Sequence, residues 1–361
     1  MRDKQKWRSR RSFLGFCGFG LLLGTWLYSA RTVSEAVSAG LSLCARVMIP
    51  SLFPFFALSN LFVRRGYQQY AAAALRPVMG PLFGLPAEAS GALALGAVGG
   101  YPIGAATAFQ LYDRGQLCET DTARLLAFCN NAGPGFIFGV AGLGVFGSAE
   151  IGLLLYVTHL VSALLVGAAL HLCKDAPGTD IPVTPWRGGE ADEPFALSFV
   201  GAIRDAASAM LNVCAFLVFF SVILAFLRTT PVWDIPARIL ETVFGLGEDA
   251  ARAAMDGFLE LGHGIAALNG AVCTQGAALS ITAFLLGWGG LCVHCQAVSL
   301  CGERAIDMGP YFKGKFAQGV LAAFLVRAGV PGIALCAALL VLMAFLAKFR
   351  KTAGKRKAYR V

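Results

Sequence analysis

The chain has 361 residues, 57% of them hydrophobic and only 14% charged, with a mean hydropathy of +0.66. A water-facing surface cannot be built from that composition, so a soluble domain is excluded and a multi-pass protein of the cell membrane, solvated by the lipid bilayer, is indicated. The net charge of +9 does not point to nucleic acid, because the basic residues collect at the two ends of the chain, as they do on the cytoplasmic flanks of membrane helices.

In chain order, "MRDKQKWRSRR" leads into a first uncharged run at 12–30. The run is long and ends in "LYSA", a poor cleavage site, so residues 1–30 read as a basic N-terminus and a retained first helix. Further uncharged runs follow at 47–63, 89–112, 125–149, 151–173, 206–227, 261–302 and 328–347, of the order of the roughly 20 residues that cross a bilayer as a helix. The run 261–302 is about two spans long and is expected to fold back near "NGAVCTQG", which makes nine membrane segments. The runs are continuous and do not alternate with period two, which selects helices over a barrel. Basic ends place both termini in the cytoplasm, and nine full spans cannot do so. Either a segment is re-entrant or interfacial, or a further span lies around 313–326.

The most polar stretch, at 174–195, separates residues 40–173 from 196–347, and a basic cytoplasmic tail occupies 348–361. Each half opens on an aromatic-rich helix, "LFPFFALSNLF" and "AFLVFFSVILAF". Each continues with a glycine-broken element, "GGYPIGAA" and "ELGHGIAA", and then a helix interrupted by small and polar residues, "AFCNNAGPGF" and "AFLLGWGGLCVHCQ". The expectation is an all-α polytopic membrane protein with two pseudo-symmetric, inverted halves that hold broken or re-entrant helices, the layout of secondary transporters.

The run 125–149 carries Asn130 and Asn131 and then Gly133, Pro134 and Gly135. Proline removes a donor and glycine favours a non-helical path, so the helix is predicted to break here. In lipid such a break survives only when buried in protein or lining a wet cavity. The second half-helix then starts near Pro134 with its amides facing the break, an anion-binding geometry, and the two asparagines add amide donors and acceptors. The competing reading makes the asparagines simple ties between helices. Gly99, Gly100, Pro102 and Gly104 interrupt the run 89–112 in the same way, and Tyr101 offers a hydroxyl and a ring face; small-residue packing through Gly100 and Gly104 is the alternative.

In the second half Glu260 and His263 stand three apart at the start of a long uncharged run, where Glu260 could carry a coupling proton or sodium ion. The alternative puts both at the water interface. His294 and Gln296 follow "GWGG" and face the same cavity if the halves correspond. His159 and His171 are weaker candidates, with His171 interfacial. Arg204, Asp205 and Arg327 read as snorkelling groups, Arg327 being the cation of interest for an anionic substrate. The "CVHC" at 292–295 lacks a second cluster at zinc-site spacing, so no metal and no cofactor is expected, and the scattered cysteines imply no disulfide framework. No nucleophile–base constellation or nucleotide loop appears, which argues against an enzyme.

At these positions the sequence resembles a known family. "MIPSLFPFFALSNLFV", "GGYPIGA", "LYDRGQL", "RLLAFCNNAGPGFIFG", "HLVSALLVG", "LELGHG" and "GWGGLCVHCQAVS" are similar, in order, to motifs of the YlbJ (SpoVV) family of sporulation integral membrane proteins. That family lies within the nucleoside-recognition Gate-domain group, itself similar to concentrative nucleoside transporters. The resemblance spans residues 40–325. It implies transport of dipicolinate across the mother-cell-derived outer forespore membrane, with a nucleoside-type carrier, or a non-transporting Gate-domain partner in envelope assembly, as alternatives. A homo-oligomer is compatible with it. Two departures stand out: Gly99 and Gly133 occupy places where the family pattern has serine.

Overall fold

The computed structural model describes residues 2–172 and 194–358, so the polar linker lies outside the described residues except for its last two positions. Among the described residues every regular element is helical, as the composition requires. Helix α1 is Arg2–Tyr28. Helix α2, Ala30–Leu43, passes through a π-helical stretch, Cys44–Met48, into α3, Ile49–Arg64. Pro50 and Pro54 offer no amide donor, and the wider π register sits just ahead of them. Helix α4 is Gln68–Val78, α5 Ser90–Gly99, α6 Ile103–Asp113 and α7 Glu119–Cys129; a π-helix, Gly135–Val145, and α8, Ala149–Leu172, close the first half. The second half runs α9 Phe195–Arg228, α10 Pro231–Phe244, α11 Glu248–Leu259, α12 Leu261–Ala267, α13 Gln275–Trp288, α14 Gly290–Cys301 and α15 Gly309–Ala358. Helix α15 kinks at Gly329, whose φ of 64° only glycine tolerates well, just before Pro331.

The order of element types is the same in both halves. A long apolar helix and a short helix precede two helices joined at a sharp break, then a second broken pair, then a long closing helix.

Among the described residues five helices are long and apolar enough to cross a membrane, Ala30–Arg64, Ala149–Leu172, Phe195–Arg228, Gln275–Cys301 and Gly309–Met343, and Gly15–Tyr28 and Gly135–Val145 are shorter apolar helices. The run 89–112 is not one span but a hairpin, because α5 and α6 fold back on each other around 100–102. A Cβ on Gly104 would lie 2.9 Å from the Cα of Gly96, so the small-residue contact pairs Gly104 with Gly96 rather than with Gly100. Helices α11 and α12 repeat the arrangement around Glu260, where a Cβ on Gly264 would land on the Cα of Gly257. The span missed around 313–326 is the first part of α15; Lys313 and Lys315 had interrupted its apolar run.

Helix α15 is the hub, packing on α7, α8 and α13, while α3 lies along α9. Outside the spans, charge fixes the ends. Arg304 donates to both oxygens of Asp113 at 2.7 and 2.6 Å, and its guanidinium holds that carboxyl below the usual carboxylate range. Arg64 pairs with Asp205 at 2.8 Å, and Arg228 and Trp233 both donate to Asp256.

Because the hairpin legs touch through backbone atoms, a single methyl group should part them. We expect Gly264→Ala and Gly96→Ala each to cost about 1–3 kcal/mol or more by overpacking. Gly18→Ala, with nothing within 4 Å of the added carbon, should be neutral or slightly stabilising. Thermal unfolding in detergent micelles checks this, and equal melting of all three variants would contradict the hairpin packing.

Candidate functional site

A helix that stops inside a membrane leaves backbone donors and acceptors without their ladder partners. Four such places converge here, and side chains near and far in the sequence take up the freed backbone groups.

Helix α7 ends at Cys129 and Asn130 turns to extended backbone, φ −89° and ψ 97°. The helical partner of the Asn130 carbonyl would be the amide of residue 134, which is proline and has none. Lys315 Nζ takes that place, donating at 2.7 Å. The Phe128 carbonyl accepts from Asn131 Nδ2 at 2.8 Å, and the Ala132 amide donates to His159 Nε2 at 3.1 Å. Gln318 ties these groups together: its Nε2 donates to Asn131 Oδ1 at 3.0 Å, and its Oε1 accepts from Lys315 at 2.6 Å. Asn130 Nδ2 donates to the Tyr311 hydroxyl at 3.3 Å, which also meets His294 Nδ1 at 3.0 Å. Asn130, Asn131, Lys315 and Gln318 are all fully buried.

The tip of the α5–α6 hairpin rests on this break. Gly100 has φ 77°, and a Cβ there would stand 2.6 Å from the Gly133 amide nitrogen, so both the conformation and the approach demand glycine. The Tyr101–Pro102 peptide is cis. Tyr101 reaches across to the second half, where its hydroxyl donates to the Leu286 carbonyl at 2.7 Å, next to the break at Gly289.

At the α11–α12 tip, Glu260 is extended, φ −135° and ψ 111°, and its carboxylate accepts from the amides of Gly262 at 2.9 Å and His263 at 2.7 Å. His263 Nδ1 adds a third contact at 2.8 Å, and its Nε2 meets Ser221 Oγ at 3.3 Å. The break between α13 and α14 lies at Gly289, φ 90°. Beside it Trp288 stacks on Phe258 at 4.8 Å and donates through Nε1 to the Phe258 carbonyl at 2.9 Å.

The four breaks enclose a cavity of about 60 Å³, space for a few waters. Gly99, Gly100 and Tyr101 line it from one hairpin tip, Glu260 and Leu261 from the other. Gly133 to Phe136 and Cys292, Val293 and Gln296 come from the broken helices, with Phe55 and Phe56 of α3 alongside. Gln296 Oε1 is buried without a hydrogen-bond partner in the protein.

Of the residues singled out in the sequence, Tyr101, Glu260 and Gln296 reach the cavity wall, as do the break residues Gly99, Gly100, Gly133, Pro134 and Gly135. Asn130 and Asn131 lie one layer behind it, bonded to α15 and to backbone. His294 is turned away from the cavity, packed edge-on against Trp288 at 4.1 Å. His263 backs Glu260, and Pro102 and Gly104 sit behind the tip. Glu260 is 5% exposed, buried within the protein. Arg327 is exposed beside Gly276, away from the site. Cys292 is buried and Cys295 exposed, on different faces of α14. Sequence reasoning missed Tyr311, Lys315 and Gln318. Their spacing, i, i+4 and i+7 on one helix face, was the available signal.

Residues 45–167 match the family model Gate, described as nucleoside recognition. The chain is also similar to the sporulation integral membrane protein YlbJ of Bacillus subtilis (strain 168), with 28% identity over 326 residues that cover 85% of this chain and 80% of that protein. No solved structure matches. The matched segment runs from the π-helical stretch before α3 into the last turns of α8, so it includes the first hairpin tip and the first break. Gly99 and Gly133, the two positions where the resemblance led to an expectation of serine, both line the cavity.

The asparagine–glutamine pair behind the wall should behave as one unit. Asn131→Leu or Gln318→Leu alone strands a buried partner, at about 1–3 kcal/mol each. The double substitution should cost less than the sum of the two. A double-mutant cycle on thermal stability measures this, and strict additivity would argue against the contact.

Proposed function

We propose that this chain is a carrier for a small planar metabolite, with its site in the cavity where the four breaks meet. The observation that supports it most is the convergence of two hairpin tips and two broken helices on one partly polar cavity. A scaffold needs no broken backbone inside lipid, whereas discontinuous helices around a central site are the working parts of secondary transporters. The likeness to YlbJ suggests a setting in sporulation, with the outer forespore membrane as location and dipicolinate as the first solute to try.

The wall chemistry constrains how such a solute binds. A carboxylate has about four lone-pair positions; three on Glu260 are taken, and Gln296 adds an unpartnered carbonyl. The cavity therefore asks for donors. Two carboxylates about 4 Å apart repel by roughly 4 kcal/mol at an effective dielectric of 20, so a dicarboxylate would bind with an accompanying proton or cation. A second reading, a nucleoside-type solute, is favoured by the same Glu260, because ribose hydroxyls could donate to it directly. Either solute needs more room than a closed cavity of about 60 Å³ gives, so binding goes with a widening of the cavity.

Uptake into proteoliposomes separates the readings. With Glu260→Gln, dipicolinate flux should persist or rise, while uridine flux should fall about tenfold if the carboxylate holds hydroxyls. No flux of either solute through correctly inserted, folded protein would sink the carrier reading. Crosslinking in sporulating cells would then test the partner-protein alternative.

A further inference from the structure

Lys315 is the most unusual charge in the molecule. It is 0% exposed, two turns into the membrane-crossing helix Gly309–Met343, and among the described residues its hydrogen-bond partners include no carboxylate. A buried ammonium without a counter-ion is costly unless its donors are well placed. Its surroundings are two neutral oxygens, the Asn130 carbonyl at 2.7 Å and Gln318 Oε1 at 2.6 Å, and the face of the Tyr101 ring at 5.5 Å. The Asn130 carbonyl belongs to the C-terminal end of half-helix α7, which carries partial negative charge. Such an end, together with unwound carbonyls and a π face, is a cation site, and cation-coupled carriers with discontinuous helices fill that kind of site with an inorganic ion.

We propose that the Lys315 ammonium is a tethered cation that permanently fills a monovalent-cation site at the first helix break, so that the protein needs no sodium or potassium ion there. Two further observations agree. The proline at 134 orphans the Asn130 carbonyl whatever else happens, so some cation or donor must sit there. Tyr101, a cavity-wall residue, presents its ring face to the amine, and its hydroxyl is fixed to the Leu286 carbonyl, which holds the ring there. Removing the amine while leaving its space should therefore create a site for a free cation. The transport consequence, sodium-independent flux, rests on the carrier reading above; the cation site itself does not.

The test uses the full chain in detergent, melted in sodium, potassium, methylammonium or choline chloride at equal ionic strength. Wild-type protein should melt at the same temperature in all four. Lys315→Ala should melt lower in choline and recover by roughly 2–4 °C in a saturable way with methylammonium or sodium. Lys315→Met, which fills the space without a charge, should show no such recovery. Two results would overturn the proposal: a saturable sodium or potassium stabilisation of wild-type protein that Lys315→Met abolishes, or a folded Lys315→Ala that no small cation restores. If Lys315→Ala does not fold, the wild-type comparison decides, together with Lys315→Ala rescued by methylammonium during purification. Absence of solute flux would count against the carrier reading alone, since the melting data read the cation site directly.

Discussion

In hydrocarbon no water is at hand to satisfy a backbone amide or carbonyl, and every break in a helix must be repaired by the protein itself. The structure depends on how that requirement is met. At the first break the repair comes from Lys315, Asn131 and His159; at the second hairpin tip from Glu260 and Trp288; at the second break from Tyr101. None of these groups is decorative, because each stands where a helical hydrogen bond has been removed. The apolar exterior follows from the same rule. Once polar demands are met inside, the outer faces of α9 and α15 can present Phe219, Leu211, Phe324 and Leu335 to lipid.

The repairs also interlock the two halves. Tyr101, from the first hairpin, bonds a carbonyl of α13 in the second half, and Lys315, from the last long helix, bonds a carbonyl of α7 in the first. Each half thus leaves one break to be closed by the other. Movement of the first hairpin tip away from the cavity therefore breaks a bond to the second half.

Local breaks were legible in the sequence because they are written in residue types with strong backbone effects. Gly100, Pro102, Gly133 and Pro134 announce interruptions whatever surrounds them, and the pairing of "GGYPIGAA" with "ELGHGIAA" falls on the two hairpin tips. The first part of α15 was hidden for the opposite reason: a count of uncharged residues stops at Lys313 and Lys315, although a lysine can be buried when oxygens meet it. The partners of the asparagines were equally out of reach. Tyr311 and Gln318 lie more than 180 residues downstream of them, and no local pattern encodes that distance. A run such as 89–112 has the length of a span, and only the close contact of Gly96 with Gly104 shows that it folds back.

Two of the buried ionisable residues stand at the centre. Glu260 is at the second hairpin tip with three donors, and Lys315 at the first break with two oxygens and a ring; both come from the second half, and each is solvated separately by protein groups. They do not pair with each other. The cost of burying two unpaired charges is offset by fixed amides and carbonyls that cannot rotate away, because they belong to broken helices held in place by the opposite half. Polarity in this centre is therefore a property of the backbone breaks as much as of the side chains, which is why glycine and proline, and not only charged residues, determine it.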